Sequence, residues 1–159
     1  MDNIVRTIIK RIKLGHERST ITRSIISALP EWFEDEKSND MYIREVAERD
    51  TWAAYCGDTA VGIISLQSSS ENASEIHFMA IMPDYHRTGI GRQLVRLAEE
   101  YAQQQGHQWL LVKTLDSGLP SPFYDKTRRF YLATGFIPLE VIPDFWGGGV
   151  PCLNMIKTV

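Results

Sequence analysis

Residues 75–93 read Glu-Ile-His-Phe-Met-Ala-Ile-Met-Pro-Asp-Tyr-His-Arg-Thr-Gly-Ile-Gly-Arg-Gln. The apolar run to Met82 predicts a strand, and Pro83 stops it. The glycine-containing loop after it opens directly into a helical pattern. That order matters because a helix N-terminus carries unpaired N–H groups and a partial positive charge, which together attract phosphate. Gly89 and Gly91 have no side chain, so a ligand can approach the backbone closely. By itself such a loop is equally compatible with a purely structural turn. The Walker pattern GxxxxGK[ST] is absent. A dinucleotide GxGxxG also fails, because Leu94 stands where the third glycine belongs and the loop lies mid-chain.

Downstream of the loop, Ile90, Leu94, Leu97, Ala98 and Tyr101 recur at helical spacing, and Gly106 marks the stop. Trp109 to Leu115 predicts a buried strand, and Asp125 to Thr134 a short helix. Pro120-Ser121-Pro122, just before it, reads as loop stiffening. Gly135 suits a left-handed helix cap, with Phe136 as the apolar contact beyond it. Phe136 to Val141 and Leu153 to Val159 are the last strands; the latter reads as an edge that could pair across a homodimer.

Upstream, Ile4 to Ile12 predicts an opening strand, and Glu17 to Leu29 and Glu36 to Glu48 predict helices. Thr51 to Cys56 and Ala60 to Leu66 flank Gly57-Asp58, a hairpin signal. The order β-α-α-β-β-β-α-β-α-β-β implies an α/β fold with a mixed central sheet and flanking helices.

At 159 residues, 43% apolar and 23% charged, the chain suits one soluble domain spanning 1–159. A net charge of −3 argues against nucleic acid as the main partner. Cys56 and Cys152 are too few for a disulfide framework and read as small buried apolar groups. The four histidines show no metal-ligand spacing, so no metal is expected. No apolar run is long enough for a membrane span and no leader core is present, so a cytoplasmic, membrane-free protein is expected.

The run His86-Arg87-Thr88-Gly89-Ile90-Gly91 resembles the Q/RxxGxG/A loop of the GNAT superfamily of N-acetyltransferases. Phe130-Tyr131-Leu132-Ala133-Thr134-Gly135-Phe136 is similar to that family's FYxxxGF motif, one helix and one strand further on. The element order resembles the family over nearly the whole chain, least specifically in the first fifty residues. Two positions depart from the pattern. His86 stands where Gln or Arg is usual, and Tyr124 stands where an Asn often holds the pantetheine arm.

The resemblance implies transfer of the acetyl group of acetyl-CoA directly to a primary amine of a small molecule or peptide. The N–H groups of Arg87, Thr88, Gly89, Ile90, Gly91 and Arg92 would hold the pyrophosphate, with His86 opening the loop. A backbone N–H at Ala80 or Ile81 would polarise the thioester carbonyl. Tyr131 would protonate the departing thiolate. Glu75 is the candidate base; it shares a strand face with His77, and either of them, or water, could take the amine's proton. Trp32 to Asp35 and Asp144 to Gly149 would line the amine pocket, and the Gly147 to Gly149 run permits a flexible lid there without demonstrating one. The alternative activity is a non-catalytic acyl-CoA-binding module. A generic nucleotide-binding protein is a third reading.

Overall fold

The computed structural model describes residues 6–159. Its elements are β1 (Thr7–Arg11), α1 (Gly15–Ser27), α2 (Glu36–Val46), β2 (Asp50–Cys56), β3 (Thr59–Ser68) and β4 (Ala73–Ile81). A 3₁₀ turn (Pro83–Tyr85) leads to α3 (Ile90–Gln104), β5 (Trp109–Leu115), α4 (Pro122–Ala133), β6 (Ile137–Ile142) and β7 (Cys152–Thr158). The first residues of the expected opening strand, Ile4 and Val5, lie outside the described residues. The strands form a mixed sheet in the order β1-β2-β3-β4-β5-β7-β6.

The order corrects one expectation. The segment from Leu153 to Val159 is not an edge: β7 is inserted between β5 and β6, antiparallel to both. Cys152, Leu153, Asn154 and Met155 are all buried, as a strand covered on both sides requires. The edge position falls to β6, whose Pro138 lacks an N–H to offer a further strand.

The backbone divides into two compact units. The first comprises residues up to 67 and 77–96. Its β2–β3 hairpin turns at Gly57, whose φ of +61° suits a residue without a side chain. On the sheet lie α1 and α2, whose Ile25, Ile26, Ile43 and Val46, with Leu29 just after α1, pack with Ile63, Phe78 and Ala80. Asp35 caps α2 by accepting the Ser38 N–H at 3.1 Å and its hydroxyl at 2.6 Å. Those Ser38 hydrogen bonds hold the Asp35 carboxyl below its ordinary range.

The second unit comprises residues 68–76 and 97–159. Here β4 and β5 run parallel from Ala73↔Trp109 to Ile76↔Val112, joined through the α3 crossover. The helix α4 starts one turn earlier than the sequence pattern suggests. Ser121 is its N-cap, accepting the Tyr124 N–H at 3.3 Å, and Pro122 occupies the first turn, where a missing N–H costs nothing. Pro120-Ser121-Pro122 is therefore a helix start rather than loop stiffening. At the other end Gly135 N–H bonds Leu132 O at 3.1 Å and Phe136 N–H bonds Tyr131 O at 3.0 Å. With Gly135 at φ +98° and the Tyr131 and Phe136 rings 5.5 Å apart, this is the predicted Schellman stop with its apolar contact.

Candidate active site

The loop between β4 and α3 is built entirely within the first unit. Gly89 is the N-cap of α3, its carbonyl accepting the Gln93 N–H at 3.2 Å. The next N–H groups, of Ile90, Gly91 and Arg92, therefore have no carbonyl one turn back to bond. Two residues of the loop take positive φ: Arg87 at +60° and Gly89 at +91°. Alternation of this kind turns successive N–H groups towards one side, the geometry of an anion-binding nest.

The loop sits close to the sheet because Gly62 on β3 leaves room. A Cβ there would stand 3.4 Å from both Ile81 Cγ1 and Ile90 Cγ2. Ile90 is buried in that contact, and so anchors the first turn of α3. The sequence pattern does not single out Gly62, which is one glycine inside an apolar strand.

Two loop side chains turn towards the protein rather than outward. His86 Nε2 lies 2.7 Å from Ile81 O. A carbonyl only accepts, so Nε2 carries the proton in that bond. The ring also meets Trp32 edge-on at 5.6 Å. Thr88 Oγ1 donates to Tyr85 O at 2.6 Å. What remains for an anion is the backbone N–H set together with the exposed side chains Arg87 and Arg92.

Ala80 and Ile81 differ in what their backbone can offer. Met82 N–H bonds Val61 O on β3 at 2.8 Å. Strand alternation then directs the Ala80 N–H towards β3 and the Ile81 N–H away from it. Ile81 is thus the better placed of the two to meet a ligand oxygen.

Further back on β4, His77 Nε2 lies 2.9 Å from Glu45 Oε2 of α2. That contact is an ion pair when the ring is protonated. Trp32 and Phe33 pack against the apolar cluster under α1 and α2, Phe33 lying 5.5 Å from the Phe78 ring. They serve the core there, and Asp35 serves as the helix cap described above.

Glu75 and Tyr131 belong to the second unit. Glu75 is buried, and its Oε1 accepts from Lys113 Nζ of β5 at 2.6 Å. Lys113 also lies over the Phe145 ring at 5.4 Å. The sequence held a signal for this pair. A lysine inside the apolar run Trp109 to Leu115 needs a carboxylate partner if it is to be buried.

Tyr131 is buried in α4, 5.4 Å from Phe130 and 5.5 Å from Phe136. Burial pushes its phenol well above the ordinary value, with Tyr124 adding in the same direction. The group therefore holds its proton throughout the physiological range. Buried Arg128, one turn earlier, donates to Leu115 O and pairs with Asp125, tying α4 to β5.

Cys152 is fully buried, and burial pushes its thiol up to about 11 despite the nearby Lys113. It behaves as a small apolar group, as expected; Cys56 is half-buried. The segment Asp144 to Gly149 is organised by Asp144, whose Oδ1 accepts the Gly149 N–H at 2.6 Å. Gly147, Gly148 and Gly149 all take positive φ, so their glycines answer a backbone requirement. Among the described residues no group of three or more His, Cys, Asp or Glu could hold a metal ion. Among them, too, no helix is long and apolar enough to cross a membrane.

Comparison with curated proteins gives no match. Comparison with solved structures gives many. A GNAT-family protein from Desulfovibrio desulfuricans superposes with a TM-score of 0.81 at 18% identity, covering 96% of this chain and 99% of that one. A GNAT family acetyltransferase from Elizabethkingia anophelis, with acetyl-CoA bound, gives 0.73 at 17% identity over 100% of both chains. The ribosomal-protein-S18-alanine N-acetyltransferase from Escherichia coli gives 0.74 at 14% identity, covering 97% of this chain and 94% of that one. At such identities the likeness establishes the fold. The family is established by sequence: the model of the acetyltransferase (GNAT) family matches residues 19–136. The chain belongs to the GNAT family of acetyltransferases.

Proposed function

We propose that the protein transfers the acetyl group of acetyl-CoA directly to a primary amine of a small molecule or peptide. The observation that carries the reading is the loop. Arg87 and Gly89 at positive φ precede the N–H groups of Ile90, Gly91 and Arg92, at the positive end of the α3 dipole. That arrangement suits a pyrophosphate, and the fold is shared with the acetyl-CoA-bound protein from Elizabethkingia anophelis.

In this reading the amine nitrogen attacks the thioester carbonyl carbon and the carbon–sulfur bond breaks. The Ile81 N–H supports the oxygen as negative charge develops on it. The Tyr131 hydroxyl gives its proton to the departing thiolate. The amine's proton goes to Glu75 or to His77. Lys113 engages Glu75 at Oε1. His77 Nε2 lies against Glu45.

The test is CoA release measured over a panel of small amines and short peptides, followed by the pH dependence of kcat/KM on the best of them. Glu75→Gln is expected to abolish the acid limb while His77→Gln retains it. The reverse pattern would assign the base to His77, and an unchanged limb in both would assign it to water. The assays belong well below the melting temperature of each variant. Glu75→Gln strands the half-buried Lys113, and breaking a buried pair costs about 3–5 kcal/mol. A panel with no turnover, on protein that binds acetyl-CoA, would sink the transferase reading.

A further inference from the structure

A polar row on the second unit extends beyond the residues given roles above. Register places Lys113 of β5 opposite Asn154 of β7, and Asn154 opposite Glu140 of β6. The three side chains therefore share one face of the sheet. Leu153 and Met155, which alternate with Asn154, face the other way and line a groove with Arg128 and Leu132 of α4. Glu75 joins the row through its ion pair with Lys113.

Asn154 is the informative member. It is only 7% exposed. Its Nδ2 donates to Glu140 Oε1 at 3.4 Å. Reversing the amide would set its oxygen against the carboxylate, so Glu140 fixes which end faces it. The other end, Oδ1, is buried and has no hydrogen-bond partner among the described residues. A buried acceptor without a donor is uncommon in folded proteins and calls for an explanation. Lys113 does not supply the donor, because its ammonium is turned to Glu75.

The unpartnered amide oxygen of Asn154 and the carboxylate bonded to its Nδ2 are both acceptors. The group that satisfies both is a positively charged nitrogen bearing several N–H bonds. The reading above gives the reacting amine's proton to Glu75 or His77, so a nitrogen held as an ammonium by Glu140 is a second one.

We propose that Glu140 and Asn154 form a recognition site for a second ammonium group of the acceptor, so that the preferred acceptor carries at least two basic nitrogens. The inference rests on the transferase reading for the word acceptor, but the binding site itself does not. Exposed Glu140 is the residue to vary, since its replacement disturbs no core.

The experiment titrates the CoA-loaded protein calorimetrically with two matched pairs. One is 1,4-diaminobutane against butylamine, and the other is Ala-Lys amide against Ala-norleucine amide. CoA release is measured with the same four compounds on acetyl-CoA-loaded protein. In at least one pair the dication is expected to bind at least about tenfold more tightly, as for other charge-assisted contacts, and Glu140→Gln is expected to erase the difference. The pair that shows it distinguishes a small diamine from a basic peptide. Asn154→Leu, which removes Oδ1, should reduce the same preference. Equal binding within both pairs, no binding by any compound, or a preference that survives Glu140→Gln overturns the proposal. Turnover without a dication preference leaves the transferase reading standing and removes this one. A Glu140-dependent preference without turnover does the opposite.

Discussion

Tyr131→Phe is expected to lower kcat about a hundredfold while leaving the KM for acetyl-CoA within about twofold of wild type. The substitution removes one buried oxygen and keeps the ring between Phe130 and Phe136. The Tyr131 carbonyl still accepts the Phe136 N–H, so the helix stop is untouched. A loss of rate can then be assigned to the missing proton. Burial raises this phenol above its ordinary value of about 10. The wild-type rate should therefore show no fall between pH 7 and pH 10 that Tyr131→Phe removes. Steady-state kinetics across that range check both statements. An unchanged kcat would take the proton-donor role away from Tyr131, and a raised KM with unchanged kcat would make it a binding residue.

The second large effect is expected at the loop. Gly89→Val should weaken acetyl-CoA binding about 10- to 100-fold by calorimetric titration, with Gly89→Ala between it and wild type. Among the described residues, the adjacent ones aside, nothing lies within 4 Å of where a Cβ would stand at Gly89, so the effect does not come from a clash with packed neighbours. It comes from φ +91°, outside the narrow left-handed region that residues with side chains tolerate. Arg87 at +60° lies inside that region, which is why a non-glycine residue can stand there. Relaxing Gly89 would swing the first N–H groups of α3 out of convergence. Gly57→Ala is the control: it lies in the β2–β3 hairpin, and at φ +61° a side chain is tolerated at a modest cost. It should cost stability and spare the affinity. Full affinity in Gly89→Val would contradict the loop's assignment.

Local signals made most of the fold legible. The Gly57-Asp58 hairpin, the β5 run and the Gly135 stop are each encoded within a few residues, and each stands where the pattern puts it. Strand order was harder, because the placing of β7 between β5 and β6 joins segments far apart in sequence. Even so, Pro138 in one strand and the uninterrupted buried run from Cys152 to Met155 in the other bore on which was the edge. In the site, motif residues could be named from spacing, but their side-chain partners could not. Nothing near His86 announces Ile81 O as its partner, and the lysine in the β5 run calls for a carboxylate without saying which. The Asn154–Glu140 pair was hidden for the same reason: it exists only once β6 and β7 are set in register.

The ends of α4 are fixed independently, by Ser121 at the start and by Gly135 beyond the finish. Each residue inserted into or deleted from a helix rotates its downstream part by about 100° and shifts it by about 1.5 Å. With both termini pinned, neither end can absorb that change. A single-residue indel within Pro122–Ala133 must therefore break a cap or carry the Tyr131 hydroxyl to another side of the helix. The composition of this helix is free to drift over its exposed positions, but its length of 12 residues is not. Gly135 would then score in a mutational screen as though it were catalytic, while its role is that of a ruler.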